Sequence, residues 1–136
     1  MDLQKQLQIL LNDEVKKTNL NLEVKNVYPD PRTESITLNS LPGSTTTKAY
    51  MDDSYDMDIV YEIRVQSSNA ERANRLTWAI DEFIKAIDSN QLVSGDGSFL
   101  FTKVDVSNAP FMSGQREDGF FIFIMDFKIS VFVDEN

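Results

Sequence analysis

The chain has 136 residues, room for one domain whose core buries roughly two-thirds of the unfolded surface. It has no cysteine and no histidine, which excludes disulfides, thiolate chemistry, imidazole catalysis and the common zinc ligand sets. Thirteen basic and 22 acidic residues leave a net charge of −9. That field repels nucleic acid unless the charges segregate, and no basic cluster is longer than Lys16-Lys17.

Met1-Asp2-Leu3-Gln4-Lys5 lacks the basic and apolar regions of a signal peptide. No apolar run approaches the ~18–20 residues of a membrane span. A soluble protein made in the cytoplasm, without membrane contact, is expected. The first helix is predicted over residues 3–17, capped by Asp2, with Leu3, Leu7, Leu10, Leu11 and Val15 on one stripe. Gln4, Lys5, Gln8 and Asn12 fall on its wet side. A short strand is expected over Leu22–Val27, and Tyr28-Pro29-Asp30-Pro31 is expected as a turn or a kinked connection because each proline holds its predecessor extended.

Ser35-Ile36-Thr37-Leu38 is β-rich and stops at Leu41-Pro42-Gly43. Residues 43–56, with Thr45-Thr46-Thr47, Asp52, Asp53 and Asp56, have little to bury and are expected as a mobile loop. Met57–Val65 alternates Met57, Ile59, Tyr61, Ile63 and Val65 against Asp58, Val60, Glu62 and Arg64, the pattern of a half-buried strand. Ser68 and Glu71 read as a capping box opening a helix that runs to about Asp88. Its apolar arc is Ala73, Leu76, Thr77, Ile80, Phe83, Ile84 and Ile87.

After the Ser94-Gly95-Asp96-Gly97 turn, Phe99–Val106 reads as a strand, followed by a second mobile loop over about 107–118. Phe120–Val133 is strongly β, and its first half is apolar on both faces, as when something covers each. The order α, β, β, β, α, β, β predicts an α+β domain over residues 1–136. It consists of a mostly antiparallel sheet with two amphipathic helices on one face.

Chemical motifs are scarce. None of the five glycines lies in a phosphate-loop or dinucleotide frame. Asp52, Asp53, Asp56 and Asp58 suggest a calcium loop, but the sixth position from Asp52 is Met57 where glycine is needed, and the twelfth is Ile63 where glutamate is needed. Asp126 alternates with Lys128 on the last strand, which points to a surface or ion-paired role. No catalytic, cofactor-binding or metal-binding residue is assigned, and an enzyme is not expected.

Large apolar side chains in polar settings are more informative. Trp78 falls opposite the apolar arc of its helix, beside Asn74, Asp81 and Lys85. It either packs beneath a neighbouring element or serves a partner. Tyr50, Met51, Phe111 and Met112 stand within turn-rich segments and are, with Trp78, the candidate interface residues.

Taken in order, these pieces resemble the minor capsid and tail-terminator proteins of long-tailed phages. The series runs from the Leu3, Leu7, Leu11 helix through the Ile36-Thr37-Leu38 strand and Leu41-Pro42-Gly43. It continues with Tyr61-Glu62-Ile63-Arg64-Val65-Gln66, Ser68-Asn69-Ala70-Glu71-Arg72-Ala73, the Trp78 helix, the Asn108–Gly119 segment and the final aromatic strand. The resemblance implies a virion subunit that forms a hexameric ring at the head-proximal end of the tail tube. Such a ring stops tube polymerisation and offers a surface to the head. Its implied partners are further copies of the chain, the tail tube protein and the head–tail connector protein. A neck or head-closure component and a stand-alone ligand-binding α+β module are the alternatives.

Overall fold

The computed structural model describes residues 2–17, 24–25, 34–42, 45–88, 90–115 and 119–133. Among these residues two helices, α1 (Leu3–Lys16) and α2 (Ala70–Lys85), accompany six strands. These are β1 (Val24–Lys25), β2 (Ser35–Ser40), β3 (Thr45–Ala49), β4 (Tyr55–Ser67), β5 (Leu100–Gln115) and β6 (Phe121–Val133).

The long alternating strands form the centre of one sheet, in the order β1-β2-β4-β6-β5. β4 pairs with β6 along its whole length, from Tyr55 opposite Val133 to Ser67 opposite Phe121. β2 pairs with Tyr61–Gln66 and β3 with Tyr55–Asp58, so both lie along the same edge of β4, one after the other. Among the described strands only the β1–β2 pair is parallel. Because side chains alternate along each strand, Ile59, Tyr61, Ile63 and Val65 share a face with Phe123, Met125, Phe127, Ile129 and Val131. Both helices cover that face, and the architecture is α+β.

The helices sit there because each carries an apolar stripe. Leu3, Leu7, Leu11 and Val15 of α1 are no more than 1% exposed. Ala73, Leu76, Ile80 and Ile84 of α2 join the same buried cluster. The wet side predicted for α1 is corrected in one respect. The Gln4, Gln8 and Asn12 side chains are half-buried and clamp the strands beneath. Gln4 donates to the Leu38 carbonyl and Gln8 to that of Val24, while Asn12 Oδ1 accepts from the Val24 N–H at 2.6 Å. Both backbone groups of Val24 thus bond to side chains of α1.

Neither predicted cap has the predicted form. Asp2 makes no capping bond to α1. Its carboxylate instead accepts from Ser94 Oγ, Ser98 Oγ and the Gly95 N–H, fastening the start of the helix to the turn before β5. Desolvation opposes the charge, but the bonds from Ser94, Gly95, Gln6 and Ser98 outweigh it and hold the Asp2 carboxyl well below the usual carboxylate range. At α2 the cap is Asn69, one residue later than the Ser68 box, accepting from the Arg72 N–H at 3.1 Å. Ser67 and Arg72 both engage Glu34, at 2.5 and 2.8 Å, which ties the end of β4 and the start of α2 to the entry of β2. Helix α2 ends at Lys85, short of Asp88.

Both expected loops contain strand residues. Within 43–56 lie β3 and the start of β4, joined by a turn. Threonine is a strong β-former, but every β3 residue is exposed, so no apolar alternation marked the strand. Within 107–118, β5 continues through Asn108-Ala109-Pro110 to Gln115. It tolerates Pro110 because it is an edge strand with four register irregularities. The strand expected over 22–27 is described only at Val24–Lys25, and the Tyr28–Pro31 turn lies outside the described residues.

Candidate functional site

Tyr50 and Met51 begin the turn between β3 and β4. The Tyr50 N–H donates to the Ser54 carbonyl at 2.9 Å and the Asp53 N–H to that of Tyr50 at 3.3 Å, with Asp53 at φ 69°. Asp52 Oδ1 accepts from the Ser54 N–H at 3.2 Å, completing an Asx turn. The Tyr50 ring meets Phe132 edge-on at 5.9 Å, and its hydroxyl donates to Asp56 at 2.8 Å. That bond to Asp56 raises the phenol pKa. Met51 is left wholly exposed at the tip.

Phe111 and Met112 lie on β5, not in a loop. Phe111 is opposite Ile124 and Met112 opposite Phe123. Both are about half exposed, at 46% and 53%. Trp78 is 43% exposed on the outward side of α2. Asp81, placed beside Trp78 on the wet face, is instead buried at the flank of the apolar arc, with Lys85 Nζ at 3.0 Å.

The five candidates therefore do not converge. Tyr50 and Met51 stand at one end of the sheet, beyond Tyr55 of β4. Phe111 lies nine residues further along, level with Arg64, a distance of about 30 Å, and on the opposite edge. Three exposed apolar residues escaped the sequence reading: Ile9 (46%) on α1, and Val93 (56%) and Leu100 (63%), which bridge each other beside Phe132. For Leu100 the signal was available: between Phe99 and Phe101, which face the core, it must point outward.

The acids have separate engagements. Asp58 accepts from Ser130 and lies 3.7 Å from Lys128, while Asp126 accepts from Asn108 instead of pairing with Lys128. On the open sheet face Asp56, Asp58, Glu62, Asp105 and Asp126 are interleaved with Arg64, Lys103 and Lys128. Among the described residues no three metal-ligating groups gather. A depression lined by Thr47, Asp56, Asp58, Thr102, Lys103, Ser130 and Val131 is too open to enclose a small molecule. Among the described residues no helix is long and apolar enough to cross a membrane.

The chain is a small α+β unit with one helix-covered sheet face and exposed apolar side chains toward both ends of the sheet. Its sequence matches the family profile described as bacteriophage tail terminator protein over residues 6–132, and the chain belongs to that family. No curated protein matches it in sequence. Among solved structures, it is similar to a chain of the virion of a native gene transfer agent particle. The TM-score is 0.58 at 12% identity, covering 96% of this chain and 97% of the other, so the likeness is one of fold. The protein is thus a structural component of a phage-type tail, built to associate with other virion proteins.

Proposed function

We propose that the chain forms a ring, a hexamer by family resemblance, at the head-proximal end of the tail tube. There it stops tube polymerisation and presents its other side to the head. The partners are further copies of itself, the tube protein and the head–tail connector protein. The reading rests chiefly on one observation beside family membership: Tyr50, Met51, Phe111 and Met112 are exposed apolar residues at opposite ends and edges of one subunit. A closed ring of identical subunits needs two different, complementary faces on each. Trp78, exposed on α2, is available to a third contact. No bond-making or bond-breaking step is assigned to any residue.

The test is electron microscopy of tails assembled with and without the chain. Overlong tubes in its absence are expected. Tubes of normal length that fail to join heads would replace termination with a neck or head-closure role.

A further inference from the structure

Val93 and Leu100 take no part in the ring reading, although among the described large apolar residues only Met51 is more exposed. We propose that Val93, Leu100 and Phe132 form an apolar ledge that docks a protein other than this chain, one presenting an apolar side chain flanked by lysine or arginine.

The ledge is continuous. Val93 bridges Leu100, and Leu100 stands opposite Phe132, so the three form a row at one end of the sheet face that the helices leave open. Leu100 is 63% and Val93 56% exposed, while Phe132 is half-buried with Tyr50 edge-on at its side. The row is also firmly held. Phe99 and Phe101, on either side of Leu100, are buried and fix the chain there. The turn between Val93 and Leu100 is fastened to the start of α1 by the bonds from Ser94, Gly95 and Ser98 to Asp2. Side chains held in this way lose little further freedom on docking.

Charge decides the occupant. Asp96 is exposed in that same turn, and bonds from Ser98 and Ser94 hold its carboxyl below the usual range, so it stays ionised. Asp56 stands opposite Phe132 on β4, and the exposed Asp52 and Asp53 belong to the turn that carries Tyr50. Against these four acids stand Lys48, over the Tyr50 ring, and Lys103, which is ion-paired with Asp105. A second copy is poorly suited to such a rim. It carries a net charge of −9, and among the described residues seven of its lysines and arginines are already ion-paired with its own carboxylates. A different protein with cations beside an apolar anchor matches both the ledge and its rim.

The inference rests on the proposed assembly only for where the partner is sought. Binding is therefore measured to purified tails and to heads, each assembled without the chain. The parent should bind one of them, more weakly as salt rises. Leu100→Ser should weaken that binding about tenfold or more. Val93→Ser should act in the same direction, and it decides the matter if Leu100→Ser fails to fold. Asp96→Asn, which keeps the acceptor in the turn, should weaken binding about threefold at low salt and match the parent at high salt. Oligomer mass, read by sedimentation on the same samples, should be that of the parent throughout. A parent that binds neither particle, or binding that none of the three substitutions changes, overturns the ledge and leaves the ring reading standing. Oligomers lost in Leu100→Ser or Val93→Ser would make the occupant a second copy and overturn its assignment to another protein. A parent that binds as expected but never forms rings sinks the ring reading alone.

Discussion

Tyr61 shows how one residue can be read from pattern yet owe its chemistry to packing. It is 3% exposed and stacks on Phe127 across the β4–β6 pair, ring centres 5.6 Å apart. Burial penalises the phenolate and pushes its pKa up to about 12. An acid whose pKa rises on folding contributes stability that is complete below its unfolded value, near 10, and is lost as pH climbs through the folded one. The protein should therefore lose stability between about pH 10 and 12, and Tyr61→Phe, which keeps the stack, should flatten that decline in denaturant melts. An alkaline decline of the same slope in Tyr61→Phe would assign the loss to other groups. The inward position of Tyr61 followed from strict alternation over Met57–Val65. The partner across the sheet did not, because register depends on how distant segments pair.

At the scale of elements, legibility tracked the apolar pattern. Both helices and the two central strands carry continuous apolar stripes, and they fall close to where periodicity placed them. β3 carries none, since no side chain of it is buried, and it exists by pairing with β4. Pro110 disguised the second half of β5 because an edge position, which relieves the missing N–H, cannot be known from one sequence. Caps were misplaced for a related reason. Ser67, Ser68 and Asn69 are all capable, and geometry selected Asn69 while Ser67 turned to Glu34. Asn69→Ala should thus cost about 1 kcal/mol in urea unfolding, whereas Ser68→Ala, exposed and outside the cap, should stay within about 0.5 kcal/mol of the parent. Equal losses from both substitutions would restore the capping-box assignment.

For the whole molecule, the candidate surface was partly legible: sequence alone picked out Trp78, Tyr50, Met51, Phe111 and Met112, and all five are exposed. What sequence could not supply was the placement of Tyr50 and Met51 at one end of the sheet and of Phe111 and Met112 toward the other, on which the proposed ring depends. Trp78 offers a direct fluorescence readout, because it is the chain's one tryptophan and stands on α2. At 43% exposure its indole meets water in the single subunit, so a monomer should emit at the red end of the tryptophan range. If α2 also faces a neighbour in the ring, the emission should shift blue as the protein is concentrated, in step with the oligomer fraction from sedimentation. Trp78→Phe would weaken that association without changing the melt. Emission that stays constant while rings form would assign Trp78 to the tube or head contact instead, and adding purified tails to preformed rings would then produce the shift.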